Sequence, residues 1–176
     1  MPDGKPEVRS VKLICAVMSA PSADLEAIDS ALISLFGAID LRSDKFDFTF
    51  TDYYSKEMGS NLTKQFYSFD NLIAPDQLSA IKNKTIEIEA QHAVGGRRTV
   101  NLDPGYIEES KLVLASTKNF SHRIYLGRNI WGEITLRFIK GEFVDHPWTY
   151  PDYMTPIALG FFKKARDRYR EQLSSR

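Results

Sequence analysis

Several features that would assign a protein to a class are missing or scarce in this sequence. The 176 residues include one cysteine, Cys15, so no disulfide can form within the chain, and no Cys/His cluster suggests structural zinc. Lysine plus arginine equal aspartate plus glutamate, 23 of each, so no net charge attracts the protein to duplex DNA or anionic membrane. No apolar run is long enough to cross a bilayer and no secretory signal is recognisable, which together predict a cytoplasmic protein.

The motifs of three large enzyme classes are also missing. The chain contains no G-x-x-x-x-G-K-[ST] phosphate loop, no G-x-G-x-x-G dinucleotide fingerprint and no G-x-S-x-G nucleophile elbow. These absences argue against a P-loop NTPase, a Rossmann oxidoreductase and an α/β-hydrolase. What is present, 43% hydrophobic and 26% charged residues, is the usual balance of a globular domain. We predict a flexible tail over residues 1–10 and one domain over residues 11–176.

The first half of the chain alternates predicted strands and helices. Residues 11–18 are apolar on both faces, as in a central strand, and a helix capped by Ser22 ends at Gly37. Residues 46–51 and 66–69 alternate in polarity and predict a hairpin with a long loop. A second helix opens at Pro75, and its apolar stripe contains Leu78, Ile81, Thr85, Ile88 and His92.

The second half begins with a strand over residues 97–102 that ends in an Asp103-Pro104-Gly105 turn. Residues 108–115 fit a short helix best, although Val113 and Leu114 also allow a strand. Three strands follow at residues 123–126, 133–139 and 142–144, and Thr155 and Pro156 begin a terminal helix.

The order of these elements predicts the fold class. The first six follow the βαββαβ order of a ferredoxin-like core. We therefore expect a single α+β domain with a mainly antiparallel sheet, extended by C-terminal β-hairpin strands and the terminal helix.

Two neighbouring segments contain the candidate site. Thr99, Asn101 and Asp103 would share one face at the end of a strand, which places an amide beside a carboxylate. The Asp-Pro-Gly sequence is equally typical of a purely structural turn, so both interpretations stay open.

The second segment lies in residues 97–128, which contain six basic and three acidic residues in a chain that is neutral overall. Its stretch of residues 116–123 places hydroxyl groups beside Lys118, His122 and Arg123, as a phosphate or carboxylate site requires, although a solvated polar loop has the same composition. His122 is the best proton-transfer candidate, because an unperturbed histidine titrates near neutrality.

We therefore predict a site for a small anionic ligand, of phosphate or nucleotide type, and leave enzymatic activity open. The candidate catalytic residues are Asp103, His122 and Glu133. The candidate ligand-binding residues are Arg97, Asn101, Tyr106, Lys111, Lys118 and Arg123, and Glu57 is a further carboxylate on a loop. No metal motif is present, and the cofactor and the oligomeric state are left open.

Two alternatives remain. The chain would be a non-catalytic module for single-stranded RNA, with Tyr125, Trp131 and Trp148 as stacking surfaces, or a protein-interaction domain without a ligand. A concave pocket that joins Asp103, His122 and Glu133 favours the small-molecule site, whereas a flat basic and aromatic face favours RNA.

The ordered motifs of this chain resemble those of the DUF4416 family of bacterial and archaeal proteins. They lie at residues 57–59, 101–106, 111–116, 122–126 and 148–153, and read Glu-Met-Gly, Asn-Leu-Asp-Pro-Gly-Tyr, Lys-Leu-Val-Leu-Ala-Ser, His-Arg-Ile-Tyr-Leu and Trp-Thr-Tyr-Pro-Asp-Tyr. The resemblance covers nearly the whole chain and implies a small single-domain cytoplasmic protein. It implies no catalytic residues.

Overall fold

The computed structural model describes residues 7–175. Within that range it contains a nine-stranded sheet and four α-helices, and two short 3₁₀ segments precede α3 and α4. In chain order the elements are β1 (Val11–Ser19), α1 (Leu25–Phe36), β2 (Ile39–Arg42), β3 (Phe46–Asp47), α2 (Ser55–Met58), β4 (Thr63–Ile73), α3 (Leu78–Gln91), β5 (Val100–Ile107), β6 (Lys111–Ser116), β7 (Ile124–Gly127), β8 (Ile130–Ile139), β9 (Glu142–Val144) and α4 (Pro156–Ser174).

All strand pairs in the sheet are antiparallel, and the strand order is β2-β4-β1-β5-β6-β8-β7. β3 pairs with β4 and β9 pairs with β8, both also antiparallel. The predicted α+β class with a mainly antiparallel sheet is therefore confirmed, and the sheet is larger than the predicted core. None of the helices in residues 7–175 combines the length and the apolar composition that a membrane span requires.

The central strand β1 is buried along its whole length because helices cover both faces of the sheet. Leu13, Cys15 and Val17 pack on the side of α1 and α3, whereas Ile14 and Ala16 pack on the side of α4. This alternation explains why residues 11–18 are apolar without interruption except at Lys12. The Lys12 ammonium is buried and pairs with the Asp40 carboxylate.

The predicted Asp103-Pro104-Gly105 turn is wrong, because all three residues lie inside β5. At Gly105 a Cβ atom would collide with the carbonyl oxygen of Val113 on β6, so only glycine allows the two strands to pair this closely. β5 and β6 pair only between Gly105 and Ile107 on β5, and they separate before Gly105. Backbone N–H groups alternate between the two edges of a strand, so the ring nitrogen of Pro104 faces the separating edge, where no ladder hydrogen bond is lost.

Other boundaries also differ from the sequence predictions. At residues 108–115 the sequence favours a helix and also allows a strand, and the structure has the strand β6 at Lys111–Ser116. The short strand β2 was not predicted. α1 is capped by Asp24 and not by Ser22, although it ends at Gly37 as predicted. His92, expected on the buried stripe, follows the end of α3 and is half-buried. Residues 1–6 of the predicted tail lie outside the described residues, and residues 7–10 form no regular element.

Candidate functional site

A cavity of about 740 Å³ lies where β5 and β6 separate. Its walls come from β5, β6 and α3, from the loops after β3 and β6, from the start of β4, and from the segment that precedes α4. Its lining includes buried charged residues such as Lys64 and Lys82, a part that we call the buried end. It also includes exposed residues such as Tyr53 and Lys118, a part that we call the mouth. The volume falls within the range of about 300–1,000 Å³ that is usual for small-molecule sites.

Two charged side chains of α3 take the place of a neighbouring strand at this opening. The Lys82 ammonium donates to the backbone carbonyl of Leu102 at 2.8 Å, and the Leu102 N–H donates to the Glu89 carboxylate at 2.6 Å. Both backbone groups of Leu102 would otherwise face the gap between the strands without a partner. Lys82 and Glu89 therefore satisfy the open strand edge and hold the wall of the cavity.

Arg98 connects α2, α3 and β5 through its side chain. Its guanidinium donates to both carboxylate oxygens of Glu57 at 2.7 Å, to Glu89 at 3.2 Å and to the side-chain oxygen of Asn101 at 2.9 Å. The hydrogen bonds from Arg98 are the main reason that the pKa of Glu57 is lowered. Asn101 in turn donates to Asp103 at 2.7 Å, so one network extends from α2 through Arg98 to Asp103 in the lining of the cavity.

Asp103 is the carboxylate at the centre of this network, and about 29% of its side chain is exposed. Burial alone would raise the pKa of Asp103, but the charges of Lys82 and Lys64 and the hydrogen bonds from Lys82 and Asn101 outweigh it and lower the pKa. Asp103 is therefore ionised near neutrality and acts as a hydrogen-bond acceptor and a negative charge. At Glu89 burial outweighs the charges of Lys82 and Arg98, so the pKa of Glu89 is raised.

Lys64 and Asp152 form a further ion pair at the buried end of the cavity. The Lys64 ammonium donates to the Asp152 carboxylate at 2.5 Å, and both residues are almost fully buried. Lys64 also lies over the ring of Tyr153, with 4.8 Å between the ammonium and the ring centroid. Because the partners are 88 residues apart in sequence, no local pattern indicates this pair.

Glu133 fixes the loop that follows β6. Its carboxylate accepts hydrogen bonds from His122 and from Arg123, both at 2.8 Å. Arg123 also donates to the hydroxyls of Ser116 at 3.1 Å and Tyr150 at 3.0 Å. Glu133 is buried and not solvated, because β8 turns it toward this cluster. At the mouth beside it, Lys118 donates to the Tyr53 hydroxyl at 2.5 Å.

Five of the nine predicted catalytic and ligand-binding residues line the cavity, namely Asn101, Asp103, Lys118, Arg123 and Glu133. The other four are not among the lining residues. Arg97 is exposed, Lys111 pairs with Glu108, Tyr106 packs beside Leu78 and Val113, and His122 contacts Glu133 and stacks on Trp148. Among residues 7–175 no three His, Cys, Asp or Glu side chains are arranged to hold a metal ion.

The residues that sequence reasoning missed are Lys64, Lys82, Glu89 and Asp152, and Arg98 entered it only as one of several basic residues. One signal for two of them was present. Lys82 and Glu89 are seven positions apart on α3, which places both charges on the buried side of that helix. A charge on the core side of a helix requires a partner, so this spacing indicates a polar site beneath α3.

Comparison with known proteins supports the assignment of a family but no activity. Neither the curated proteins nor the solved structures compared with this chain include a match. The model of a domain of unknown function, DUF4416, matches residues 9–169. The match spans every strand of the sheet and most of α4. The chain therefore belongs to the DUF4416 family.

Proposed function

We propose that the cavity between β5 and β6 binds a small anionic molecule, with a phosphate or carboxylate group at the mouth. The mouth offers cationic and hydroxyl donors, Lys118, Tyr53 and Tyr150, and both ammonium and hydroxyl groups bind such anions well. Aromatic rings of Phe48 and Phe50 supply apolar wall, as in most small-molecule sites.

The observation that carries the proposal is the charge pairing around the cavity. Five cationic residues line it, and four of them have a carboxylate partner: Lys64 with Asp152, Lys82 with Asp103, Arg98 with Glu57 and Glu89, and Arg123 with Glu133. Lys118 is different, because its ammonium contacts the Tyr53 hydroxyl and ring and no carboxylate of the described residues. The anionic group of a ligand would supply the partner that Lys118 lacks.

This proposal is tested with Lys118→Met against a panel of small phosphates and carboxylates. Calorimetry should show at least one anion that binds the unaltered protein and binds Lys118→Met about tenfold more weakly, which corresponds to about 1.4 kcal/mol. Lys163→Met is the matched control, because Lys163 is exposed on α4 and is not among the lining residues. Equal affinities of the unaltered protein and Lys118→Met for every anion that binds, or no binding by any of them, would refute the proposal.

The RNA alternative has less support. Trp148, one of its three stacking surfaces, lies between the rings of His122 and His146, with centroid distances of 4.8 and 4.6 Å and interplanar angles of 9° and 4°. Both faces of the indole are therefore covered by protein, and a base could stack there only after the two histidines moved. We prefer the small-molecule site for this reason.

We also propose that β1, α1, β2, β4, α3 and β5 form a ferredoxin-like core within a single cytoplasmic domain. The antiparallel strand order β2-β4-β1-β5, with α1 and α3 on one face, supports this assignment of the core. β6 to β9 would then be an extension that adds the second wall of the cavity.

A further inference from the structure

The buried end of the cavity differs in chemistry from the mouth. There the Asp103 carboxylate lies between the ammonium of Lys82, at 3.1 Å, and the side-chain amide of Asn101, at 2.7 Å. The Lys64 ammonium lines the same cavity. Donors and acceptors are therefore adjacent at this end, whereas a site for an anion alone would need donors only.

These groups have hydrogen-bonding capacity that the protein does not use. A carboxylate accepts about four hydrogen bonds, and each oxygen of Asp103 accepts one from the described side chains. An ammonium has more donors than the single hydrogen bond of Lys64 to Asp152 requires. A hydroxyl group satisfies a donor and an acceptor placed side by side, because its single oxygen atom both accepts and donates.

The walls around this end are aromatic. Phe48, Tyr54 and Tyr153 all line the cavity, and the Lys64 ammonium lies 5.3 Å from the Phe48 ring centroid and 4.8 Å from that of Tyr153. Burial and the charge of Asp103 raise the pKa of Tyr54, so its hydroxyl stays protonated and can donate. Aromatic faces combined with a few fixed polar groups suit a ring that has apolar C–H surface and hydroxyl edges.

We infer that the ligand is a sugar phosphate, or a phosphorylated polyol of similar size, whose phosphate binds at Lys118. Its hydroxyl groups bind at the buried end, to Asp103, Lys64, Lys82 and the Tyr54 hydroxyl. This inference rests on the proposed function, because it assigns the buried end of the same cavity. It adds that the buried end selects the ligand through its hydroxyl groups, and that the mouth binds its anionic group.

The test compares ribose 5-phosphate, glucose 6-phosphate and glycerol 3-phosphate with phenyl phosphate and inorganic phosphate. Phenyl phosphate is the informative comparison, because it has the anion and an apolar ring but no hydroxyl groups on that ring. At least one of the three hydroxylated phosphates should bind the unaltered protein about tenfold or more tighter than phenyl phosphate, and two additional hydrogen bonds suffice for this.

Variants at the two ends separate the two proposals. Tyr54→Phe and Asp103→Asn should weaken the hydroxylated phosphates severalfold and leave phenyl phosphate unchanged, whereas Lys118→Met should weaken all phosphates alike. If Asp103→Asn fails to fold because Lys82 loses its counter-charge, Tyr54→Phe still gives the answer. Phenyl phosphate binding as tightly as the sugar phosphates would overturn this inference and leave the proposed anion site standing. No binding of any phosphate or carboxylate would overturn both.

Discussion

The Glu89 carboxylate on α3 accepts a hydrogen bond from the backbone N–H of Leu102 at 2.6 Å, in the part of β5 that does not pair with β6. Replacing Glu89 by leucine leaves this buried N–H without an acceptor, and a buried unsatisfied donor costs about 1–3 kcal/mol. We expect Glu89→Leu to lower the free energy of unfolding by about that amount in a urea titration. We also expect the Leu102 amide to exchange its hydrogen faster than in the unaltered protein.

Glu89→Gln is the control for this effect. Its amide oxygen can still accept from Leu102, so Leu102 should remain protected from exchange although the ion pair with Arg98 is lost. Equal exchange rates at Leu102 in the leucine variant and the unaltered protein would show that Glu89 does not hold the open strand edge.

The raised pKa of Glu89 predicts a pH dependence of stability. Burial is the largest cause, and it keeps a proton on the folded protein at pH values where the unfolded chain, with an ordinary value of 4.5, has lost it. The folded state therefore binds more protons above pH 4.5, and this contribution to stability falls as the pH rises through the raised pKa.

The measurement is the difference in unfolding free energy between Glu89→Gln and the unaltered protein, followed from about pH 4 to about pH 7. The difference should shift in favour of the glutamine variant as the pH rises. Asp103 contributes in the opposite direction, because a lowered pKa loses stability as the pH falls through it. Since Asp103 is present in both proteins, its contribution cancels to first order, and a difference that stays constant with pH would contradict the prediction.

Gly105 tests the close approach of β5 to β6. A Cβ atom at this position would meet the Val113 carbonyl oxygen, which belongs to the backbone and cannot rotate away. We expect Gly105→Ala to lower the free energy of unfolding by about 1–3 kcal/mol.

Gly160→Ala is the control variant, and we expect it to change the stability in the opposite direction. Gly160 lies in α4, and a Cβ atom there would meet nothing within 4 Å. Alanine should stabilise this helix by roughly 0.5–1 kcal/mol, because glycine is the poorer helix former. Thermal unfolding of both variants checks the pair, and a neutral Gly105→Ala would show that the two strands can move apart there without cost.

The parts of the fold that the sequence predicted are those with a long, regular pattern. β1 is covered on both faces and α4 has an inner face of Ala158, Phe161, Ala165 and Tyr169, so both patterns leave one interpretation. β6 was predicted as a helix because its short apolar run fits either period. The prediction of an Asp-Pro-Gly turn was wrong for a different reason. The backbone conformation there is set by contacts with β6, which outweigh the local preference for a turn.

The candidate site was likewise predicted only in part. The shared face of Asn101 and Asp103 followed from strand alternation, and their hydrogen bond at 2.7 Å confirms it. The pairs Lys64–Asp152 and Lys82–Asp103 join residues 88 and 21 positions apart, and only the packed sheet brings them together. Sequence periodicity determines which side chains share a face within one element. It does not determine which elements meet across a cavity.

The start of α1 gives a direct test between the sequence prediction and the structure. The sequence predicted Ser22 as the N-cap, but the Asp24 carboxylate accepts the N–H of Ala27 at 3.0 Å, and Ser22 lies in the preceding turn. Asp24→Ala should therefore lower the free energy of unfolding by about 0.5–2 kcal/mol, the usual cost of losing a cap. Ser22→Ala should change it by no more than about 0.5 kcal/mol, as an exposed residue outside the helix. Both residues are short and polar and stand two positions apart, so chemical denaturation of the two variants compares the caps under matched conditions. The reverse order of effects would move the start of α1 to Ser22.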